Sequence, residues 1–180
     1  FYPQTGPGVP WNGLVNVKED SEGSNMAPYF VDGVRHNARK TKDSFAAVLQ
    51  AYTCPIEFEA YDGSSGQQRR RAFGLSYRTK ISTAENPDYG HKIHLVYNAL
   101  GMPTAVNNST LAAGGLNATP FSWGISTTPI PIPGAQPAAH LIIDTSFAYP
   151  EAIQALEDVL YGTASTDPRL PNPSELIDLF

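Results

Sequence analysis

Three features of this 180-residue chain have residue types that enzymes use, but none has the spacing that its chemistry requires. Gly74–Arg78 reads Gly-Leu-Ser-Tyr-Arg, yet a serine nucleophile turn needs a glycine where Arg78 stands, and this run alternates like a strand. His91 and His94 are three residues apart, which on a strand places them on opposite faces. Cys54 is the single cysteine and has no neighbouring Cys or His to complete a thiolate metal site.

Glu57 and Glu59 are two carboxylates close in sequence, and a pair of carboxylates is what a glycosidase uses as acid and base. Neighbours on one strand face lie only about 7 Å apart, and glycosidases hold their two carboxyl groups on separate elements across a cleft. A solvated acidic face is the simpler interpretation. Nucleotide-binding glycine patterns do not occur in the sequence. We therefore predict no enzyme activity, with no catalytic residue, no metal ligand and no cofactor.

The strongest structural pattern lies at 71–98, where two alternating segments flank a polar loop. Apolar and polar residues alternate from Phe73 to Ile81 and again from Lys92 to Tyr97, which is typical of half-buried antiparallel strands. The connector contains Asn-Pro and Tyr-Gly, which favour a chain reversal. This hairpin would be the centre of the fold.

Further strands and one helix are predicted around the hairpin. Residues 150–162 predict the helix, because Pro150 suits its first turn, Gly162 suits its C-cap and the apolar residues follow one face. Residues 54–63 fit either a strand or one turn of helix. Strands are expected at 13–19, at 28–35 with a break near Asp32-Gly33, at 121–128 and at 139–145. The short continuous run at 44–52 fits a strand or a helix, and its aromatic and β-branched ends favour a strand.

The two ends of the chain are rich in proline and apolar residues. We expect an N-terminal arm at 1–13, a single β domain at 14–162 and a C-terminal arm at 163–180. The apolar residues of the arms would contact neighbouring molecules: Phe1, Tyr2, Trp11, Leu176 and Phe180. The predicted fold is mainly β, an antiparallel β-sandwich or barrel with one flanking α-helix (150–162) and extended N- and C-terminal arms.

Charge and hydropathy restrict the partners. The net charge of −5 argues against a general nucleic-acid coat, since polyanions would be repelled. No apolar run approaches the roughly 20 residues of a membrane span, so no membrane partner is expected. A single cysteine excludes an intramolecular disulfide framework and favours assembly in a reducing compartment. The basic residues Arg78, Lys80 and Lys92 of the hairpin are expected to be neutralised at a subunit boundary.

Several runs taken in order resemble the major tail tube proteins of long-tailed bacteriophages. The runs are QQRRRAFGLSYRT, GHKIHLVYNA, FSWGISTTP, AHLIIDT, PEAIQALEDVLYG and DPRLPNP, and the similarity extends over roughly residues 55–175. The resemblance implies a structural subunit in which a β-sandwich with a flanking helix assembles into hexameric rings. The rings stack into a tube that carries genomic DNA during infection. Implied partners are further copies of the chain, the tape measure, terminator and distal tail proteins, and DNA in transient, non-specific passage. The location would be the virion tail tube, assembled in the host cytoplasm.

A conduit for DNA needs a wall that does not hold phosphate, because each accessible cation adds a phosphate contact. Strand faces with carboxylates or small polar groups are the best candidates for the lumen. We expect Glu57, Glu59, Ser122 and Ser126 to face it. Nothing in the sequence alone shows which strands line the tube.

The alternative function is a carbohydrate- or receptor-binding β-sandwich module of a virion or cell surface. In that case exposed aromatic residues such as Trp11, Tyr61 and Tyr89 would stack on sugars. Proline-rich arms fit this alternative less well, because a glycan-binding module works as a compact unit.

Overall fold

Antiparallel strands make up most of the fold, as the sequence predicts. The computed structural model describes residues 1–20, 29–31, 34–36, 44–62, 70–82, 89–103 and 120–180. The strands are β1 (Leu14–Asp20), β2 (Tyr29–Val31), β3 (Val34–His36), β4 (Ala46–Ala51), β5 (Phe73–Ile81), β6 (Gly90–Pro103), β7 (Phe121–Thr127) and β8 (His140–Asp144). The helices are a 3-10 helix (Ile56–Ala60), α1 (Pro150–Tyr161) and α2 (Pro173–Leu179). The mainly β class is confirmed.

Strand β6 organises the main sheet, whose strand order is β1-β4-β7-β6-β5 with β8 also paired to β6. One edge of β6 pairs with β5, and this is the hairpin that the alternation predicts. The other edge pairs first with β8, through 92–96, and then with β7, through 99–103. The sheet is curled, so that β6 is shared by its two halves. Strands β2 and β3 form a separate two-stranded sheet.

The bend in β6 is marked by Asn98, whose φ is 48°, in the left-handed region. Opposite it, the register of β5 shifts between Phe73 and Leu75, which pair with Ala99 and Val96. Between these pairs two residues of β6, Tyr97 and Asn98, thus oppose the single residue Gly74 of β5, the arrangement of a β-bulge, which bends a strand and increases its twist. Asparagine tolerates this conformation better than other residues with a Cβ.

Asn98 is exposed, so a substitution there removes no core packing. We therefore expect such a substitution to change the free energy of unfolding only through backbone strain. Asn98→Ala should lower the free energy of unfolding by about 1 kcal/mol, since a left-handed residue with a Cβ is strained. Asn98→Gly relieves that strain and should leave stability near the wild-type value. Urea denaturation of both variants measures this, and equal midpoints for Ala and Gly would contradict the strain.

Two apolar clusters cover the two faces of β6. The first lies inside the curl and is rich in aromatic rings, with Phe58, Phe73 and Trp123 at its centre. The second lies under the helices and includes Leu95 of β6 with Leu156 and other residues of the helices. As a result residues 93–97 are all buried, whereas the alternation predicts one solvated face. The prediction failed there because α1 and α2 cover one face while the curl encloses the other.

The N-terminal segment belongs to the core of the chain itself. Phe1 and Tyr2 are 5% and 8% exposed. Tyr2 pairs with Gly74 as a short β-bridge, and its hydroxyl donates to the carbonyl of Leu160 at 2.9 Å. The rings of Phe1 and Phe58 lie 5.3 Å apart in an edge-to-face arrangement. The prediction that Phe1 and Tyr2 contact a neighbouring molecule is therefore wrong, because the chain's own core takes both side chains.

The C-terminal segment is not wholly extended, because residues 173–179 form α2. Pro173 occupies the first turn, and the carboxylate of Glu175 accepts from the backbone N–H of Asn172 at 3.2 Å. Leu176 is buried at 7% exposure in the cluster under the helices, so its predicted role as an assembly contact is wrong. Phe180 is 50% exposed and keeps that prediction open. Helix α1 matches the predicted helix, including the cap at Gly162, whose φ is 75°.

Candidate functional site

A polar cluster occupies the inside of the curled sheet beside the aromatic core. It consists of Glu19 on β1, Tyr77 on β5, His94 on β6 and His140 on β8. The hydroxyl of Tyr77 donates to Oε1 of Glu19 at 2.7 Å, and Nδ1 of His94 lies 3.4 Å from the same oxygen. Nδ1 of His94 and Nε2 of His140 are 3.0 Å apart. The cluster thus brings β1 and β8 to the β5–β6 hairpin, although these three parts of the chain are distant in sequence.

Packing fixes the two imidazole rings of the cluster. His94 stacks on Tyr77 with 4.4 Å between ring centroids and 12° between planes. His140 packs against Phe45 at 4.2 Å. The second nitrogen of His94, Nε2, lies 2.8 Å from the hydroxyl of Thr79. Because both nitrogens of His94 have partners, its ring orientation is determined.

Burial sets the protonation state of the cluster. It lowers the pKa of His140 to about 4, with the neighbouring His94 as the second cause. Burial is also the main cause that lowers the pKa of His94, although the carboxylate of Glu19 opposes it. The pKa of Tyr77 is raised by burial first and then by its bond to Glu19. At neutral pH the cluster therefore has two neutral imidazoles and a neutral phenol beside the Glu19 carboxylate.

Sequence reasoning found only part of this cluster. It placed His91 and His94 on opposite faces, and the structure agrees: Nε2 of His91 lies 3.7 Å from Glu157 of α1, whereas His94 is inside. The alternation of 92–97 places His94 on the face opposite Ile93 and Leu95, and the structure shows that this face is buried at His94, which is 5% exposed. His140 was missed, although its place beside the apolar run of β8 marks it as near the core. Glu19 carries no local signal, because only the curl of the sheet brings β1 to β6.

The basic residues of the hairpin do not share one face. Arg78 points toward α1, where its guanidinium donates to Glu157 Oε1 at 2.8 Å and to the Tyr161 hydroxyl at 2.9 Å. The expected neutralisation of Arg78 by another subunit is therefore wrong, because its own helix supplies the carboxylate. Lys92 lies on the opposite face, in register with Asp144 of β8. Lys80 is exposed, and its place at a subunit boundary stays a prediction.

The candidates for the lumen fall on two separate elements. Ser122 and Ser126 lie on one face of β7 and are half-buried, opposite the buried Trp123 and Ile125. On the neighbouring strands this outward face carries further polar groups, including Asn16 and Gln50, whose amides are 3.2 Å apart.

Glu57 and Glu59 lie on the 3-10 helix instead, and both are exposed. Ile56 of the same helix is 75% exposed, and Phe58 is its buried residue. Three-residue turns rather than alternation set the direction of these side chains. Whether any of the four candidates faces a lumen stays a prediction.

The aromatic residues of the alternative, sugar-binding function are mostly engaged in the core. Tyr61 is 4% exposed. Trp11 donates from Nε1 to the carbonyl of Thr53 at 2.8 Å, and its ring lies 4.5 Å from that of Phe58. Tyr89 alone of the three is an exposed ring, at 49%. An aromatic platform built from these three residues is therefore not present, and the corresponding prediction is wrong.

An exposed apolar groove runs between β8 and α2. Its volume is about 520 Å³, and its walls include the loop that links β8 to α1. Phe147 and Tyr149 of that loop are 86% and 79% exposed, although both carry large aromatic side chains. The other exposed apolar residues of the groove are Ile142, Ile177 and Phe180.

Comparison with known proteins does not identify a family for this chain. Among the described residues, no helix has the length and apolar character that crossing a membrane requires. No protein family, no curated protein and no solved structure matches the chain at a significant level.

Proposed function

We propose that this chain is a structural subunit of a phage tail tube, whose copies associate into stacked hexameric rings around a channel for DNA. The observation that carries the proposal is the exposed apolar groove beside β8. The ordered resemblance of residues 55–175 to tail tube proteins supplies the kind of assembly. The virion tail is the corresponding location, and the tape measure, terminator and distal tail proteins are the corresponding partners.

The groove is an expected contact surface because exposed apolar area is costly in water. Large contiguous apolar patches on a folded protein usually mark an interaction site. Burial of a side chain such as Phe147 is worth about 2 kcal/mol. Several such side chains in one groove would give an interface with an apolar centre, and the aromatic rings of Phe147 and Tyr149 are typical anchors.

A second copy of the chain is the occupant that fits this groove. Strand β8 pairs with β6 along one edge, and no described strand pairs with its other edge. An open strand edge can pair with another chain. A contact between this edge and a different surface of the next copy is heterologous, and such contacts close into rings when the rotation allows. The groove and the open edge lie side by side, so one neighbour would cover both.

The charge distribution suits passage of DNA through such a ring. The net charge is −5, and Arg78 is already paired with Glu157 inside the subunit. The outward face of β7 carries Ser122 and Ser126, which offer hydrogen bonds without charge. A wall of this kind would not accumulate phosphate contacts along the tube. We therefore keep these serines as the favoured lumen residues.

Phe147→Glu is expected to abolish assembly, because it places a charge in the apolar interface while the side chain is exposed in the single subunit. Sedimentation and electron microscopy of the purified wild-type protein should show rings or hollow tubes. The variant should remain monomeric at the same concentration, with an unchanged melting temperature. Ile56→Glu is the matched control, since Ile56 is equally apolar and 75% exposed but lies outside the groove.

The possible outcomes test two hypotheses separately: that the groove is the interface, and that the protein assembles into tubes. Tubes formed by Phe147→Glu as readily as by the wild type would exclude the groove as the interface. A wild-type protein that stays monomeric at high concentration and binds sugars on a glycan array would instead favour the alternative binding module.

A further inference from the structure

The polar cluster inside the curl holds donor atoms of three residues from three strands that do not follow one another in the sequence. Glu19 is near the end of β1, His94 lies in the middle of β6, and His140 is the first residue of β8. The donor atoms of Glu19, His94 and His140 all lie within 4.8 Å of one another. Strand β1 pairs only with β4 among the described strands, so the cluster joins it to the far half of the sheet.

We propose that Glu19, His94 and His140 form a Zn²⁺-binding site that joins the two halves of the curled sheet. Two imidazoles and one carboxylate are a donor set that Zn²⁺ uses, with a water or another ligand in the fourth position. A tetrahedral ion with bonds of about 2.0–2.1 Å requires donor atoms about 3.3 Å apart. The structure gives 3.4 Å between His94 Nδ1 and Glu19 Oε1, and 3.0 Å between the two imidazole nitrogens.

Hydrogen bonds around the cluster hold its donor atoms in an orientation that suits metal binding. Histidine ligands commonly use their other ring nitrogen in a hydrogen bond that fixes the ring. Here Nε2 of His94 is within 2.8 Å of the Thr79 hydroxyl, which leaves Nδ1 directed at the other two residues. Tyr77 donates to Glu19 and so orients the carboxylate.

One nearby charge opposes a cation. Lys92 lies two residues before His94 on the same face of β6, and its charge is one of the causes that lower the pKa of His94. Asp144 stands opposite Lys92 in the register of β6 and β8 and offsets part of this charge. Glu19 is 38% exposed at its side chain, so an ion can enter from solvent on the side of β1.

Zn²⁺ binding should be measured on untagged full-length protein treated with EDTA and then dialysed. Isothermal titration with ZnCl₂ should give one ion per chain, and the melting temperature should rise with Zn²⁺ concentration because the ion binds only the folded state. Mg²⁺ should neither bind nor compete, because it prefers oxygen ligands. Wild-type protein that binds no Zn²⁺ at 100 times the protein concentration would overturn the site.

Variants assign the binding to these residues. The variants His140→Ala and Glu19→Gln should each weaken Zn²⁺ binding at least about tenfold. Glu19→Gln keeps an acceptor for the Tyr77 hydroxyl on a partly exposed residue. It should therefore fold even if His140→Ala does not. His91→Ala is the matched control, because His91 lies on the opposite face of β6. This variant should bind Zn²⁺ with the affinity of the wild type. Equal affinities for wild type and Glu19→Gln, or a loss with His91→Ala alone, would refute the assignment.

Discussion

Phe58→Ala is expected to remove most of the stability of the fold, at a cost of about 3–5 kcal/mol. Phe58 is fully buried, and its ring lies 4.5 Å from Trp11, 5.2 Å from Phe73 and 5.5 Å from Trp123. The ring of Phe1 also packs on it. Alanine would leave a cavity between these four aromatic rings, which cannot all move inward, so the loss of packing adds to the loss of burial.

Thermal unfolding followed by circular dichroism measures this change, and the melting temperature should fall by roughly 10 °C. Glu57→Gln is the control, because Glu57 lies on the same 3-10 helix with an exposed side chain. A melting temperature for Phe58→Ala within 2 or 3 °C of the control would mean, on the same scale, that the N-terminal segment and the 3-10 helix do not pack as described.

Leu156→Asp is expected to have a larger effect still, because it buries a carboxylate without a partner. Leu156 is a residue of α1 whose side chain is fully buried, and it belongs to the cluster that also includes Ile93 and Leu160. An ionised or unpaired carboxyl group at such a position costs about 4 kcal/mol or more. The variant should be largely unfolded or should expose the sheet under α1, and therefore bind a hydrophobic dye.

Leu156→Met provides the matched control at the same position. It conserves volume and polarity, so it should cost less than about 1.5 kcal/mol. Urea denaturation of the two variants compares them directly. Similar midpoints for Asp and Met would show that α1 does not cover the sheet. A stable Leu156→Asp protein whose new carboxyl group has an ordinary pKa would show that water reaches the site.

The sequence predicted those parts of the fold that depend on local pattern. The hairpin of β5 and β6 alternates over its length, and α1 has an N-terminal proline, an apolar face and a glycine cap, so each can be identified from neighbouring residues. These signals are set by periods of 2 and 3.6 residues and do not require the rest of the chain.

The errors arose where a tertiary contact overrides the local pattern. A segment with three prolines was expected to extend outward, but its aromatic rings at Phe1 and Tyr2 find partners at Phe58 and Leu160, far along the chain. His94 alternates like a surface residue, yet the curl of the sheet encloses it. Glu19 lies beside His94 and His140 only because the sheet curls and brings its end strand β1 close to β6 and β8, and no spacing in the sequence encodes that curl.

The shared use of β6 also fixes the order in which a newly made chain can fold. Ile81 pairs with Gly90, so the β5–β6 hairpin closes over a short loop and can form early. Strand β4 is synthesised before this hairpin, but its partner β7 comes much later, since Ala46 pairs with Ser126. Until then β4 has an open edge on the nascent chain, and such edges favour aggregation during synthesis. Completion of β7 is therefore the step at which the first half of the chain becomes protected.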